Sequence, residues 1–169
     1  MPNLQDSLST IASSLGQEPN MLLIYGVKVE IDTTPSESTP TWAELCAGIE
    51  NIEEGLNETI QQYFFLCGKG GANNFVTSMA PAYTITGRRI MGDAAQDFIF
   101  GANQKYGLMK ARQTHMRLTK SGATENEVIS ANVTFCNLVE VNGAVNDGSE
   151  ISMELRFDGQ IVAGDAWAE

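Results

Sequence analysis

The side chains that could support catalysis are few, and their spacing matches no catalytic motif. His115 is the single histidine of the chain, and it lies between Gln113 and Arg117 on the polar side of a strand pattern. A Ser-His-Asp or Cys-His mechanism would need His115 as its base. No GxSxG nucleophile motif accompanies it in the sequence. We therefore expect His115 to be an ordinary strand histidine and the protein not to be an enzyme.

The sequence patterns that hold metals or cofactors are also absent. Cys46, Cys67 and Cys136 are far apart and form no CxxC pair, so neither a zinc ribbon nor a disulfide framework is predicted. The glycine-rich run 68–71 lacks the spacing of a phosphate-binding loop, and the Asn- and Asp-rich run 142–150 lacks the spacing of a calcium loop. We expect reduced thiols, no bound metal and no cofactor.

The composition is that of a folded, acidic protein. Of the 169 residues, 43% are hydrophobic and 18% are charged, which is enough apolar material for a core. The 10 basic and 21 acidic residues give a net charge of −11, so a surface that grips nucleic-acid phosphates is not expected. No apolar run is long enough to span a bilayer, and the first residues do not resemble a secretion signal. We expect no membrane insertion and synthesis in the cytoplasm.

Alternation of apolar and polar residues predicts a mainly β protein. Period-two patterns occur at 21–32, 59–66, 83–90, 111–120, 129–141 and 151–158. Asp158-Gly159 then signals a hairpin turn into a further strand at 160–163. We expect an antiparallel β-sandwich or barrel with one flanking α-helix, a long inter-strand loop and terminal arms.

One internal helix is predicted over residues 93–106. Asp93 is a suitable N-cap, Gln96 occupies the capping-box position, and Gly107 follows the last turn. Together with the strand patterns, this helix defines a β-sandwich domain. The chain then divides into an N-terminal amphipathic arm or helix (1–20), the β-sandwich domain (21–163) and a C-terminal tail (164–169).

Two segments outside the predicted strands are candidates for contacts with other subunits. The N-terminal arm has an apolar stripe at helical spacing, formed by Leu4, Leu8, Ile11 and Leu15. The long loop, about 33–56, has isolated apolar residues among acids, namely Trp42, Leu45, Ile49 and Ile52. A compact domain rarely keeps so long a connection without a use for it. We expect the long loop to be mobile in the free subunit and ordered against a neighbour.

One passage of the sequence carries a family resemblance. A strand ends in Thr86-Gly87-Arg88, Gly92-Asp93 follows, and a helix then carries Asp97-Phe98-Ile99. Supporting features are the strand 25–31, the loop with Trp42, and the acidic Glu53-Glu54-Gly55 that leads into the aromatic Tyr63-Phe64-Phe65. In these features the chain resembles the tail tube (major tail) proteins of long-tailed bacteriophages, over residues 21–163.

The resemblance implies a structural virion protein with a β-sandwich and one flanking helix. Proteins of this family form six-membered rings that stack into a hollow tube, and their long loop and terminal arms bridge adjacent rings. The implied partners are further copies of this chain, the tape-measure protein inside the tube, and the tail-tip and tail-terminator proteins. The implied location is the phage tail, after assembly in the host cytoplasm. DNA would pass through the tube without specific binding.

The acidity of the chain suits a conduit for DNA. A pore that passes a polyanion should be negative, because fixed cations would bind phosphates and slow transit. Glu154 and Asp158 are candidates for lumen charges, since they alternate with core-type residues such as Leu155 on one strand. An ordinary solvent-facing role for the two carboxylates is an equally open alternative.

Two other functions also remain open at this point. The chain could be the tube protein of a contractile tail or of a type VI-like secretion system, although a long loop and arms count against that reading. It could also be a small-ligand-binding β-barrel. Such a barrel should be monomeric or dimeric, and its strands should not be apolar on both faces as 59–66 is.

Overall fold

The computed structural model describes residues 22–122 and 125–167, and these residues form a mainly β chain. The strands are β1 (Val27–Asp32), β2 (Trp42–Glu44), β3 (Ile49–Gly55), β4 (Thr59–Phe64), β5 (Ala72–Ser78), β6 (Ala82–Arg88), β7 (Gln113–Lys120), β8 (Glu127–Val139) and β9 (Glu150–Ala163). The helices are α1 (Ala94–Ile99) and α2 (Ala102–Tyr106), with 3₁₀ turns at Ile24–Gly26, Leu66–Gly68 and Met109–Arg112. No helix within the described ranges is long and apolar enough to cross a membrane.

Seven of these strands form one curled antiparallel sheet, in the order β2-β1-β7-β8-β9-β6-β3. The long strands β8 and β9 lie at its centre and pair with two register shifts, near Ser130 and near Cys136. The remaining strands, β4 and β5, pair with each other as a separate hairpin. The predicted antiparallel β fold is therefore confirmed, as a half-barrel with a projecting hairpin.

The hydrophobic core lies on one face of the curled sheet, beneath α1. The register places Ile85 opposite Met153 and Phe135 opposite Leu155, so that alternate residues meet on one face. The most deeply buried sheet residues are Ile31, Ile85, Met116, Leu118, Val133, Phe135, Met153 and Leu155. Helix α1 adds the fully buried Ile99 to this core. Removal of this apolar surface from water is the main stabilising contribution to the fold.

The predicted helix 93–106 is two short helices in the structure. Helix α1 ends at Ile99, and Gly101 has a non-helical backbone (φ −55°, ψ 148°) before α2 begins. A Cβ on Gly101 would lie 3.0 Å from Gln104 Oε1 and 3.1 Å from two backbone oxygens, so the bend is tightly packed. The apolar spacing continues across the bend, which explains why the pattern resembles one helix.

The N-terminal cap of α1 agrees with the sequence prediction. Asp93 Oδ1 accepts a hydrogen bond from the Gln96 amide at 2.8 Å. Because Asp93→Ala would leave that amide without its partner, we expect the free energy of unfolding to fall by about 1 kcal/mol. Chemical denaturation measures the difference, and Asp93→Asn, which keeps a capping oxygen, should recover most of the loss. An Asp93→Ala protein as stable as the parent would contradict the cap.

The connection 33–56 differs from the single long loop that the sequence predicts, because two strands lie within it. Strand β2 pairs with β1 at one edge of the sheet, and β3 pairs with β6 at the other edge. The loop itself spans 33–41. The buried Asp32 Oδ1 closes it by accepting the backbone amides of Thr34 and Thr41 at 2.9 Å each.

Of the two predicted terminal arms, the N-terminal one (1–20) lies outside the described residues and the C-terminal one is described as far as Trp167. The apolar stripe of the N-terminal arm, Leu4, Leu8, Ile11 and Leu15, lies outside the described residues. Of the C-terminal tail, residues 164–167 turn at Gly164, which has a φ of +100°. Trp167 then packs on His115 and Trp42, with ring centroids 4.7 and 5.6 Å apart. This part of the tail is held by its own chain.

Candidate assembly surfaces

The hairpin formed by β4 and β5 stands apart from the sheet. Every residue of both strands is exposed. Its base is fixed by two hydrogen bonds of 3.0 Å, from the Ala80 amide to the Leu56 carbonyl and from Asn57 Nδ2 to the Ala80 carbonyl. A single two-stranded hairpin is only marginally stable in water. We therefore expect another surface to cover it.

The hairpin exposes an extended group of apolar side chains. Tyr63 contacts Phe65 and Phe75, with ring centroids 6.2 and 6.0 Å apart. Leu66, at the tip, is 98% exposed. Further exposed members are Leu56, Ile60, Phe64, Val76 and Met79. Contiguous apolar exposure of this kind is typical of an interaction surface.

The same hairpin is electrically neutral within an acidic chain. Between residues 56 and 80 the charged side chains are Glu58 and Lys69, whereas the whole chain carries −11. Two copies that meet through their acidic parts would repel each other. A neutral apolar arm is the kind of surface through which identical acidic chains can associate.

The two edges of the sheet are a second candidate surface. Strand β3 ends the sheet on one side, and its exposed Glu50 and Glu53 charge that edge. Charged side chains on an edge strand hinder unspecific strand pairing.

Glu54, on the same strand, accepts a hydrogen bond from the Tyr83 hydroxyl at 2.8 Å. Burial and this carboxylate together raise the pKa of Tyr83.

The Thr86-Gly87-Arg88 passage joins β6 to the start of β3. The Arg88 amide donates to the Gly48 carbonyl at 2.7 Å. A Cβ on Gly87 would lie 2.2 Å from that carbonyl oxygen, so only glycine allows the backbones to approach this closely. The motif that carries the family resemblance is therefore a packing requirement of the fold.

Arg89 links the same passage to α1 and to the end of β8. Its side chain is 8% exposed and donates to Asp97 at 2.7 Å and to Glu140 at 3.0 Å. Lys105, in α2, reaches the other oxygen of Glu140 at 2.7 Å. The Lys105 ammonium, with Arg89, lowers the pKa of Glu140 below its ordinary value. These ion pairs hold both helices against the sheet.

Gln96 is a structural residue whose side-chain contacts the sequence did not reveal. The side chain is fully buried, and its Nε2 donates to the Ala47 carbonyl at 2.6 Å. Its Oε1 accepts the Ile90 amide at 2.9 Å. The capping-box position of Gln96 was the available signal, but the side chain bridges the turn before β3 and the chain before α1 instead of closing the cap.

The two candidate lumen residues lie on the sheet face opposite the core. Glu154 binds Arg156 at 2.9 Å and Asn137 at 2.5 Å. Asp158 accepts a hydrogen bond from the Thr134 hydroxyl. Both carboxylates therefore have partners within their own chain. Their facing a lumen stays a prediction.

The four apolar residues of range 33–56 contact their own chain. Leu45 is 3% exposed and belongs to the core, and Ile49 and Ile52 are half-buried against it. Trp42 is half-buried, with the Arg117 guanidinium 4.6 Å above its ring and Trp167 beside it. Their contacts with other subunits stay a prediction. The exposed apolar surface of this region lies further along the chain, on the hairpin.

His115 is engaged in contacts within the fold. Its Nδ1 lies 2.8 Å from Oδ2 of Asp32, a carboxylate that is fully buried. The other oxygen of Asp32 closes the 33–41 loop, and the imidazole packs on Trp167. His115 therefore helps to hold the loop and the C-terminal tail together.

Comparison with known proteins identifies the fold. No family model and no curated protein matches the sequence. The solved structures that match the fold include two phage-like tails. A subunit of the SPP1 phage tail tube superposes with a TM-score of 0.62 at 18% identity, covering 85% of this chain and 78% of that one. A chain from the tail of an empty GTA (gene transfer agent) particle, refined with C6 symmetry, superposes with a TM-score of 0.58 at 10% identity. This match covers 86% of this chain and 100% of that one. The chain therefore has the fold of tail tube proteins, as its sequence resemblance indicated.

Proposed function

We propose that this chain is the subunit of a hollow tail tube of a long-tailed phage, in which six-membered rings of identical copies stack along the tail. The observation that carries the proposal is the shared fold, which extends over 85% and 86% of the chain in the comparisons with two tail structures. The C6 symmetry of one of those tails supports the sixfold ring. The neutral, apolar hairpin supplies a surface suited to self-association.

The proposed contacts between copies use the hairpin, the sheet edges and the arms. The hairpin would share the bridging role that the resemblance implies for the long loop, about 33–56. Trp42, Ile49 and Ile52 lie on the edge strands β2 and β3, where a neighbour in the same ring would add contacts. Leu45 supports this region from the core. The N-terminal stripe, Leu4, Leu8, Ile11 and Leu15, would dock on an adjacent ring.

The tube would conduct DNA through a negative lumen. Glu154 and Asp158 are the proposed lumen charges, and they would repel phosphates so that the genome passes without being held. Before delivery the lumen would enclose the tape-measure protein, and the tube ends would contact the tail-tip and tail-terminator proteins. Assembly would occur in the host cytoplasm, and the finished tube would be part of the virion.

Reversal of the lumen charges should make the tube retain DNA. In Glu154→Lys/Asp158→Lys tubes each new cation adds a phosphate contact, so we expect duplex DNA to enter and stay at low salt and to leave as salt rises. The measurement is nuclease-resistant DNA that sediments with the tubes. Parent tubes should protect none.

A matched control separates lumen charge from net charge. Glu127→Lys/Asp147→Lys alters the net charge equally at exposed positions outside the proposed lumen. We expect these tubes to protect no DNA. Equal protection by both double variants, or by neither, would contradict the assignment of Glu154 and Asp158 to the lumen.

The test of the proposed function is the size of the protein as a function of concentration. Sedimentation of a tail tube subunit should show large, growing assemblies at high concentration. A small-ligand-binding β-barrel should remain a monomer or dimer, and this outcome would overturn the proposal. A tube protein of a contractile tail or type VI-like system would also assemble, and co-purification of a sheath protein with the native tube would identify it.

A further inference from the structure

A groove lies between the 33–41 loop and helix α2. It is open to solvent, has a volume of about 700 Å³, and is lined on one wall by Thr33, Pro35 and Glu37 and on the other by residues of α2 and of the turn before β7. Phe98 contributes apolar surface to it. Sites that enclose a ligand or a few side chains have volumes of about 300–1,000 Å³, so this groove can accept a small apolar protrusion.

The helical wall of this groove is free of carboxylates. From Phe98 to Gln113 the sequence contains no Asp or Glu and includes Lys105, Lys110 and Arg112. In a chain with a net charge of −11, this wall repels an acidic second copy less than the carboxylate-bearing surfaces do. The neutral hairpin of one copy can therefore approach this wall of another copy without repulsion between acidic surfaces.

We propose that the hairpin tip of one copy inserts into this groove of a neighbouring copy, an inference that rests on the proposed tube function. Leu66, which is 98% exposed, and Phe65 supply the apolar protrusion. Lys69, at the tip, would approach Glu37 on the groove rim. The partner is a second copy of this chain, since the tip is neutral apart from Lys69 and the helical wall of the groove carries no carboxylate, so that this contact avoids the repulsion between two acidic chains.

The positions of tip and groove make this contact directional. The hairpin leaves the sheet between β3 and β6, whereas the groove lies beside β1 and β7, toward the other end of the strand order. No residue of the hairpin lines the groove of its own chain. A contact between two different patches is heterologous, so it propagates from copy to copy into rings or open assemblies.

The native cysteine at the hairpin tip allows a cross-linking test. In a Cys46→Ser/Cys136→Ser background, Cys67 is the remaining cysteine. Adding Asn103→Cys, on the groove wall, should give a ladder of covalent multimers beyond the dimer when assembled tubes are oxidised. The matched control Ser121→Cys, at the β7–β8 turn, should give no such ladder. Tubes that form but show no ladder with Asn103→Cys, or the same ladder with both, would overturn the inference and leave the tube function standing.

Filling the groove provides a second, independent readout. Ala102 is exposed and lines the groove, so Ala102→Trp should keep the melting temperature and abolish tubes. Ala144→Trp, in an exposed loop away from the groove, should leave tube formation unchanged. Normal tubes from Ala102→Trp would contradict the inference. A parent chain that forms no tubes would overturn both the inference and the proposed function.

Discussion

Excision of the hairpin should leave a folded subunit that no longer forms tubes. Replacing residues 58–79 by two glycines removes only exposed residues and keeps Asn57 and Ala80 at the base. The core residues are untouched, so we expect the free energy of unfolding to stay within about 1 kcal/mol of the parent. Circular dichroism with chemical denaturation measures folding, and negative-stain microscopy of concentrated protein measures assembly.

A smaller change tests the same claim with the hairpin in place. Phe65→Ser/Leu66→Ser removes the apolar tip but keeps both strands, and it should weaken assembly in the same direction. The control Gln62→Ser alters an exposed polar residue of β4 and should assemble normally. Tubes from the excised chain that match parent tubes in yield and length would show that the hairpin is dispensable and that other surfaces drive assembly.

Gly87→Ala should destabilise the fold more than an ordinary surface substitution would. The new Cβ would lie 2.2 Å from the Gly48 carbonyl oxygen and 2.8 Å from Ile49 Cα. These are backbone atoms, so relief requires β3 to move away from β6 and the hydrogen bond from the Arg88 amide to break. We expect a loss of about 3 kcal/mol, at the upper end of overpacking costs.

The control for this substitution is another glycine in open space. A Cβ on Gly148 meets no atom within 4 Å, so Gly148→Ala should change the free energy of unfolding by less than about 0.5 kcal/mol. Urea denaturation of the three proteins gives both differences. Equal stability of Gly87→Ala and Gly148→Ala would mean that the β3–β6 approach is looser than described.

The central strands could be predicted because their pattern is local. Strands β7, β8 and β9 alternate apolar and polar residues over their lengths, and the core takes one set while solvent takes the other. The cap at Asp93 was likewise predictable, since it depends on residues three positions apart. The family resemblance rests on the same region. There Gly87 allows β6 and the chain before β3 to approach closely, and Asp97 pairs with Arg89.

The edge strands could not be predicted from local pattern. Strand β3 has the sequence Ile-Glu-Asn-Ile-Glu-Glu-Gly, which lacks period two and contains three acids. Its strand conformation comes from pairing with β6, a contact between residues far apart in sequence. Strand β2 is three residues long and is held by β1. Tertiary pairing overrides local preference at such edges.

The apolar character of the hairpin could be read from the sequence, but its exposure could not. The pattern 59–66 has apolar residues on both faces, and this pattern is typical of a strand covered on both sides. Among the described residues, β4 pairs laterally with β5 and nothing covers its faces, so the apolar groups remain exposed. A single sequence cannot distinguish a strand buried within its own fold from one that another copy covers.

The most direct test of the tube function is cryo-electron microscopy of the concentrated, purified protein. We expect hollow tubes of stacked rings, with six copies in each ring and the hairpin in contact with a neighbouring copy. A population of monomers or dimers at every concentration, or solid filaments without a lumen, would contradict it.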